Sequence, residues 1–106
     1  MFSNESMPSK SGVDNDDIAS AIALHALVWT LADDGRARRL LDLTGLTVDD
    51  LRSGAGDPAI LAAVLAFLAG HEPDLIACAA DIGQTPMALI AAKTRLEGTS
   101  EGMGDI

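Results

Sequence analysis

The chain has 106 residues, of which 48% are hydrophobic, and its 16 acidic and 7 basic residues give a formal net charge of −9. This length suits a single domain with one core, and the hydrophobic fraction excludes the intrinsically disordered class. Because the negative charge opposes contact with phosphate groups, we expect neither nucleic acid nor an anionic membrane as a partner.

The N-terminal region separates into a tail and a first helix. Residues 1–14 have no apolar periodicity, which predicts a disordered tail, and a helical domain is expected over residues 15–98. Its first helix follows the acidic run Asp14–Asp17 and is expected to end at Gly35. Large apolar side chains cover more than half of its circumference, and alanines hold most of the remainder. We therefore expect the helix to pack on two sides, with His25 in the core or at its boundary.

Two short helical segments come next. The sequence "ARRLLDLT" predicts a helix that stops at Gly45, since glycine is common just after a helix C-terminus. Thr47 and Asp50 have the spacing of a capping box, with Asp in place of the usual Glu or Gln. They predict a brief helical turn through Arg52.

The fourth helix carries the strongest prediction. Asp57 and Pro58 have the order of an N-cap followed by proline at the first helical position, and "AILAAVLAFLA" then runs to Gly70. One side of this helix is large and apolar, the other is alanine, and no charged residue interrupts either. A helix that is apolar all round is buried, so we expect it at the centre. Its alanine face predicts close approach of a neighbouring helix, from within the chain or from a second copy in a homodimer.

Two more helices complete the domain. Pro73 and Gly83 bracket "DLIACAADI", and Thr85 and Gly98 bracket "MALIAAKTRLE". No segment alternates with the period of a strand. The predicted fold is all-α, a single compact bundle of five or six short helices around a buried central helix, with a disordered tail over residues 99–106.

The last two helices are spaced like a helix-turn-helix DNA-binding unit. Gln84 and Thr85 in the turn and Lys93 and Arg95 on the second helix are the candidate nucleic-acid contacts. The N-terminal half of that helix, "MALIAA", has no side chain that reads base edges. Residues 18–98 also retain an excess of four negative charges, from ten acids and six bases. We therefore expect a helix hairpin that serves packing, with a nucleic-acid-associated regulator as the alternative.

Catalytic and metal-binding patterns are missing from the sequence. Cys78 falls on an apolar helix face and is interpreted as a core residue. His71 and Glu72 offer two metal ligands without a third. The sequence "GAGDP" lacks the lysine and the preceding strand of a phosphate-binding loop. We expect no catalytic residues, no cofactor, no metal and no enzymatic activity.

One basic cluster stands out, "GRARRL", with Arg36, Arg38 and Arg39. Asp33 and Asp34 can balance these charges on a solvated face. The alternative is a docking patch for an acidic protein partner, or for the chain's own acidic tail.

The sequence predicts a cytoplasmic location. A single cysteine cannot form an internal disulfide, which is typical of a reducing compartment. The N-terminal sequence lacks the basic and apolar regions of a signal peptide. The longest run without a polar side chain, "AILAAVLAFLAG", is about half of what a membrane span requires.

Four segments together resemble a small all-helical alphaproteobacterial protein family of unknown function. They are "ALVWTLADD", "LLDLTGLTVDDLR", "DPAILAAVLAFLAGHEPDLIACAADIG" and "TPMALIAAKTRL", within residues 20–96. The shared features are a Leu-Thr-Gly-Leu turn, a Pro-(Phe)-Leu-x-x-Val-Leu-x-Phe-Leu helix and a Glu before a final helix pair. Ile60 and Leu40 stand where the family commonly has aromatic residues. The resemblance implies a bacterial, cytoplasmic, helical protein and brings no activity, ligand or site.

The function predicted from these observations is a small protein–protein interaction or regulatory module without catalytic activity. Its contacts would be made by the apolar and alanine helix faces or by the arginine cluster, with a partner that the sequence does not identify. The alternative function is nucleic-acid-associated regulation through residues 74–96.

Overall fold

A computed structural model describes residues 15–102 of the chain, with side chains over residues 17–98. It contains six α-helices: α1 (Asn15–Leu31), α2 (Asp34–Thr44), α3 (Val48–Ser53), α4 (Pro58–Ala69), α5 (Glu72–Asp81) and α6 (Pro86–Gly102). No strand occurs in this part of the chain. The prediction of an all-α bundle is confirmed. The predicted N-terminal tail lies outside the described residues.

The junction between α1 and α2 differs from the prediction. Helix α1 ends at Leu31, and Gly35 lies inside the first turn of α2 instead of ending α1. The reason is the Asp33 carboxylate, whose Oδ2 accepts a hydrogen bond from the Arg36 backbone N–H at 2.9 Å. This side chain caps a new helix two residues after α1, so no glycine is needed there.

The helix ends around α3 and α4 follow the predicted chemistry. Gly45 has a φ of +76°, the left-handed conformation that ends α2, and its N–H bonds to the Leu41 carbonyl oxygen. Thr47 and Asp50 form the reciprocal capping box of α3. Asp57 caps α4 directly before its proline.

Helix α6 is longer than expected. The Thr85 hydroxyl accepts a hydrogen bond from the Ala88 N–H at 3.1 Å and caps its N-terminus. The helix then continues through Gly98, the predicted end, to Gly102. Gly98 does not adopt the positive φ that ends a helix at Gly45 and Gly83. The first four residues of the predicted C-terminal tail are therefore helical, and residues 103–106 lie outside the described part.

The core lies between α1, α4 and α6, each of which contacts the other two. Helices α2 and α5 pack against this group from its periphery, and α3 is attached through buried Leu51. Six of the twelve α4 residues are buried: Leu61, Ala62, Val64, Leu65, Phe67 and Leu68. Helix α4 is therefore central, as predicted, but it shares that position with α6.

Helix α1 packs into the core mainly through the side that carries its alanines. Its buried residues are Ala19, Ile22, Ala23, Ala26, Leu27 and Thr30. Ile18, Leu24, Val28 and Leu31 are exposed instead. The Thr30 hydroxyl is satisfied inside the core by donating to the Ala26 carbonyl oxygen at 2.8 Å. The small side chains allow α1 to lie close to α4 and α6. Of the two sides predicted to pack, the alanine side does so, whereas the large apolar side is buried only in part, at Ile22 and Leu27.

Candidate functional site

An open apolar groove of about 550 Å³ runs between α2 and α4. Its lining comprises Arg39, Leu43 and Thr44 from α2, Ala63, Ala66 and Phe67 from α4, and Gly70 and His71 from the turn after α4. Leu43 leaves 75% of its surface exposed at the rim. The groove is therefore mainly apolar and exposed to solvent.

The groove exists because one side of α4 carries only small side chains. Ala63, Ala66 and Gly70 recur at helical spacing, so they form a shallow floor along one face. Ala62 is buried, but Ala59 and Ala66 are exposed, and no helix within residues 15–102 covers Ala66. The alanine face was predicted to meet a neighbouring helix, from within the chain or from a second copy. Within the described residues α2 lies to one side of it and leaves the floor beside Ala66 open.

Charged groups lie at one end of the groove. Arg39 Nη2 donates to Asp74 Oδ2 at 2.8 Å, and His71 Nε2 is 3.8 Å from the same oxygen. Asp74 lies in the first turn of α5, where the helix dipole favours a carboxylate. The Arg39 side chain remains about half exposed. Since a guanidinium has five N–H donors, Arg39 can hold Asp74 and still meet a second carboxylate.

The three arginines of the predicted docking patch do not act together. Arg36 is directed inward, with its Cζ 3.6 Å from the centroid of the Trp29 ring and its Nη2 bonded to the Trp29 carbonyl oxygen at 2.7 Å. Arg38 is exposed. Arg39 alone lines the groove. Consecutive positions on a helix diverge by about 100°, which separates Arg38 from Arg39. Arg36, three positions before Arg39, is separated from it by its contact with Trp29.

The Trp29 indole joins three elements. Its Nε1 donates to Asp81 Oδ2 at the end of α5, at 2.6 Å, while Arg36 of α2 stacks on its face. The Arg36 Nε is buried without a hydrogen-bond partner. This cluster connects α1, α2 and α5, and we assign it a structural role.

The candidate nucleic-acid contacts are distributed around α6. Thr85 is used as the helix cap, and Lys93 pairs with Glu97 at 2.9 Å. Gln84 and Arg95 line a separate cleft of about 450 Å³ between α1 and α6. Helix α6 itself packs inside the bundle through Leu89, Ala92 and Leu96, which are buried.

The titratable residues that could carry chemistry are scattered. Cys78 is fully buried, and burial, reinforced by the nearby Asp81 carboxylate, raises the pKa of its thiol to about 11. His25 is exposed, which corrects its predicted place in the core or at its boundary. Within the described residues no group of three or more His, Cys, Asp or Glu side chains could hold a metal ion.

Two surfaces were not predicted from the sequence, the open groove and the exposed apolar face of α1. For the groove, the relevant pattern was the uninterrupted alanine face of α4, which was expected to meet a neighbouring helix from within the chain or from a second copy. For α1, the pattern that could have indicated an exposed apolar face was the spacing of Leu24, Val28 and Leu31 on a helix whose opposite face is rich in alanine.

No single helix within residues 15–102 is long and apolar enough to cross a membrane. Helices α4 and α5 reach the necessary length and hydropathy only as a pair, and they are bent by 115° from each other.

Comparison with protein families identifies the family of this chain. A family model described as "Protein of unknown function (DUF3572)" matches residues 16–99. No curated protein and no solved structure matches the chain.

Proposed function

Because this chain belongs to the DUF3572 family, whose function is unknown, we propose a function from its own surface: it is a protein–protein interaction module without catalytic activity. The α2–α4 groove is its docking site. The observation that carries the proposal is this open apolar groove with Arg39 at one end. A partner's amphipathic helix with an acidic residue would fit both features.

The floor of the groove supports a helical partner. Small residues let two helix backbones approach closely, so apolar side chains of a bound helix could fill the space beside Ala63 and Ala66. Binding of the helix would also remove the exposed Leu43 side chain from water. Arg39 would pair with the partner's carboxylate and fix the direction of binding.

We further propose that the module works in the bacterial cytoplasm. The single, buried cysteine supports a reducing compartment. The bacterial source, and its narrower alphaproteobacterial range, rest on the resemblance carried by the four sequence segments within residues 20–96.

Nucleic-acid-associated regulation is the second candidate function. It is favoured by the order of α5, a short turn and the Thr85-capped α6. The buried face of α6 and its apolar first turns argue against it, since base reading needs exposed polar side chains.

Site-directed crosslinking tests the proposed function. A photo-crosslinking phenylalanine derivative replaces Leu43 in the groove or, as a control, Met87, which is similarly exposed at 72% on α6. In the native cell we expect a discrete crosslinked protein from position 43 and not from position 87. Ala66→Glu should abolish it by placing a charge on the groove floor, and Arg39→Glu should weaken it. Crosslinking that persists in the Ala66→Glu background would refute docking in the groove.

A further inference from the structure

Two basic side chains of the α2–α4 groove share one carboxylate oxygen. Asp74 Oδ2 accepts a hydrogen bond from Arg39 Nη2 at 2.8 Å and lies 3.8 Å from His71 Nε2. Arg39 belongs to α2, His71 to the turn between α4 and α5, and Asp74 to α5. Both basic side chains line the groove, so a carboxylate that enters its charged end meets the same pair that Asp74 meets.

The three side chains differ in their freedom to move. The Asp74 side chain is 17% exposed, whereas those of Arg39 and His71 are 49% and 53% exposed. His71 is the N-cap residue of α5, but its side chain makes no capping hydrogen bond. Asp74 is therefore the fixed member, and the guanidinium and the imidazole can both reorient around it.

Four residues set the charge at this end of the groove. Arg39 is the charged residue that α2 contributes to the lining, α4 has none over Pro58–Ala69, and α5 begins with Glu72 and Asp74. With a neutral His71 imidazole, one positive and two negative charges leave a net charge of −1. A protonated imidazole brings the net charge to zero. A partner's carboxylate is therefore repelled by the net charge in the first state and not in the second.

Of these four residues, His71 is the one whose side chain changes its charge near neutral pH. Aspartate, glutamate and arginine ordinarily keep their charges between about pH 6 and 8, whereas imidazole gains or loses a proton in this range. Resting on the docking function proposed above, we propose that His71 determines when the groove accepts an acidic helix. The protonated imidazole pairs with Asp74, and the Arg39 guanidinium is then available to the partner's carboxylate.

The direction of the pH effect follows from linkage. A partner that binds better to the protonated form takes up a proton on binding, so its affinity rises as the pH falls through the range in which His71 titrates. The difference should be about threefold between pH 8 and pH 6, which is the scale of one exposed ion pair.

Photo-crosslinking from position 43 at two pH values tests this role. The full-length chain, with the crosslinking phenylalanine derivative in place of Leu43, is added to lysate of the native cell at about pH 6 and about pH 8. Its concentration is kept low, so that the yield follows affinity. The parent should give about threefold more of the discrete product at the lower pH. The readout is the dependence of this ratio on His71, not the capture itself.

Substitutions at the two histidines of the chain separate His71 from other titrating groups. His71→Gln should give the low yield at both pH values, because its amide carries no charge. His71→Lys carries a permanent charge and should give the high yield at both. His25→Gln is the matched control, since His25 is exposed on α1 and outside the groove lining, and it should keep the parent's ratio. A pH difference that persists in His71→Gln, or that is lost in His25→Gln, would overturn the proposal.

Asp74→Asn tests the competition for Arg39. The substitution removes one negative charge and the acceptor that holds the guanidinium. The yield at pH 8 should therefore rise towards the value that the parent reaches at pH 6. A yield at pH 8 that is unchanged or lower would contradict the competition.

The outcomes distinguish the role of His71 from the docking function on which it rests. Product from position 43 in equal yield at both pH values would overturn the role of His71 and leave docking in the groove standing. Absence of product at both pH values, or product that persists in the Ala66→Glu background, would refute docking itself and the role of His71 with it.

Discussion

The guanidinium of Arg36 lies over the indole of Trp29, with Cζ 3.6 Å from the ring centroid, and donates to that residue's own carbonyl oxygen at 2.7 Å. One side chain of α2 thus holds both the ring and the last turn of α1. A desolvated cation–π contact is worth about 1–2 kcal/mol, and a hydrogen bond from a charged donor is of similar size.

Arg36→Ala should therefore lower the free energy of unfolding by about 2 kcal/mol, somewhat less than the sum because the buried Nε has no partner. Chemical denaturation measures the loss, and the emission of Trp29, the single tryptophan, should change in the native state. Arg36→Lys should recover only part of the lost stability, because an ammonium group cannot stack on the indole as a planar guanidinium does. The control is exposed Arg38→Ala, expected within about 0.5 kcal/mol of the parent. Equal effects at the two positions would contradict the prediction.

Burial of Cys78 should make stability depend on alkaline pH. The thiol's pKa rises from its ordinary 9.0 to about 11 in the folded chain. The unfolded chain therefore loses this proton first, so the stability contribution is complete below pH 9 and is lost as pH rises through 11. Denaturation midpoints at pH 8 and 10.5 should differ more in the parent than in Cys78→Ala. The native thiol should also react slowly with iodoacetamide at pH 8, because little thiolate is present.

Two leucines of contrasting exposure test the core. Leu65 is 1% exposed in α4, whereas Leu43 is 75% exposed at the groove rim. Leu65→Ala should cost about 3–5 kcal/mol by loss of burial and creation of a cavity, and Leu43→Ala under about 0.5 kcal/mol. Urea denaturation of both variants measures the difference. A midpoint unchanged in Leu65→Ala would place α4 outside the core.

Replacing Gly45 by alanine should be destabilising, although no neighbouring atom blocks the added methyl group. An added Cβ would meet no atom within 4 Å, but the φ of +76° is left-handed. Gly45→Ala should therefore cost about 1–2 kcal/mol of backbone strain. Gly56 is equally open and has no positive φ, so Gly56→Ala should be neutral or slightly stabilising. Thermal unfolding that ranks the two variants equally would refute the strain argument.

A double variant tests the nucleic-acid alternative. Lys93 pairs with Glu97 one helical turn away, and such exposed pairs contribute about 0.3–0.5 kcal/mol. Lys93→Ala combined with Arg95→Ala should change stability by under about 1 kcal/mol. In gel shifts at about 0.1 M salt the parent should retain no duplex DNA. Sequence-selective retention by the parent that the double variant loses would restore the regulator hypothesis.

Local chemistry explains which features could be predicted from the sequence. Capping at Thr47, Asp57 and Thr85 depends on residues within three positions, and the structure contains each cap. Gly45 and Gly70 end helices for equally local reasons. Gly35 and Gly98 misled the prediction because a helix end also depends on the neighbouring residues. The Asp33 cap starts a new helix before Gly35, and α6 continues through Gly98.

Which surfaces remain exposed depends on contacts between helices that are distant in the sequence. An alanine face can be buried or open, and periodicity does not distinguish the two. Three of the four alanines of α1 are in the core, whereas two of the five alanines of α4 line the groove. The difference arises because α1 fits closely against two helices, while α4 contacts its neighbours with its large apolar side chains. Only the arrangement of all the helices decides which face remains exposed.

The alanine-rich contact of α1 has a consequence for how the native state opens. Three of its six buried residues are alanine, against one of six in α4, so its attachment removes less apolar area from water. Local opening should therefore release α1 while α4 and α6 stay folded. In native-state hydrogen exchange, the amides of α1 should exchange together through a local opening whose free energy is well below the free energy of global unfolding. Any molecule that covers the outer face of this helix would slow that exchange selectively.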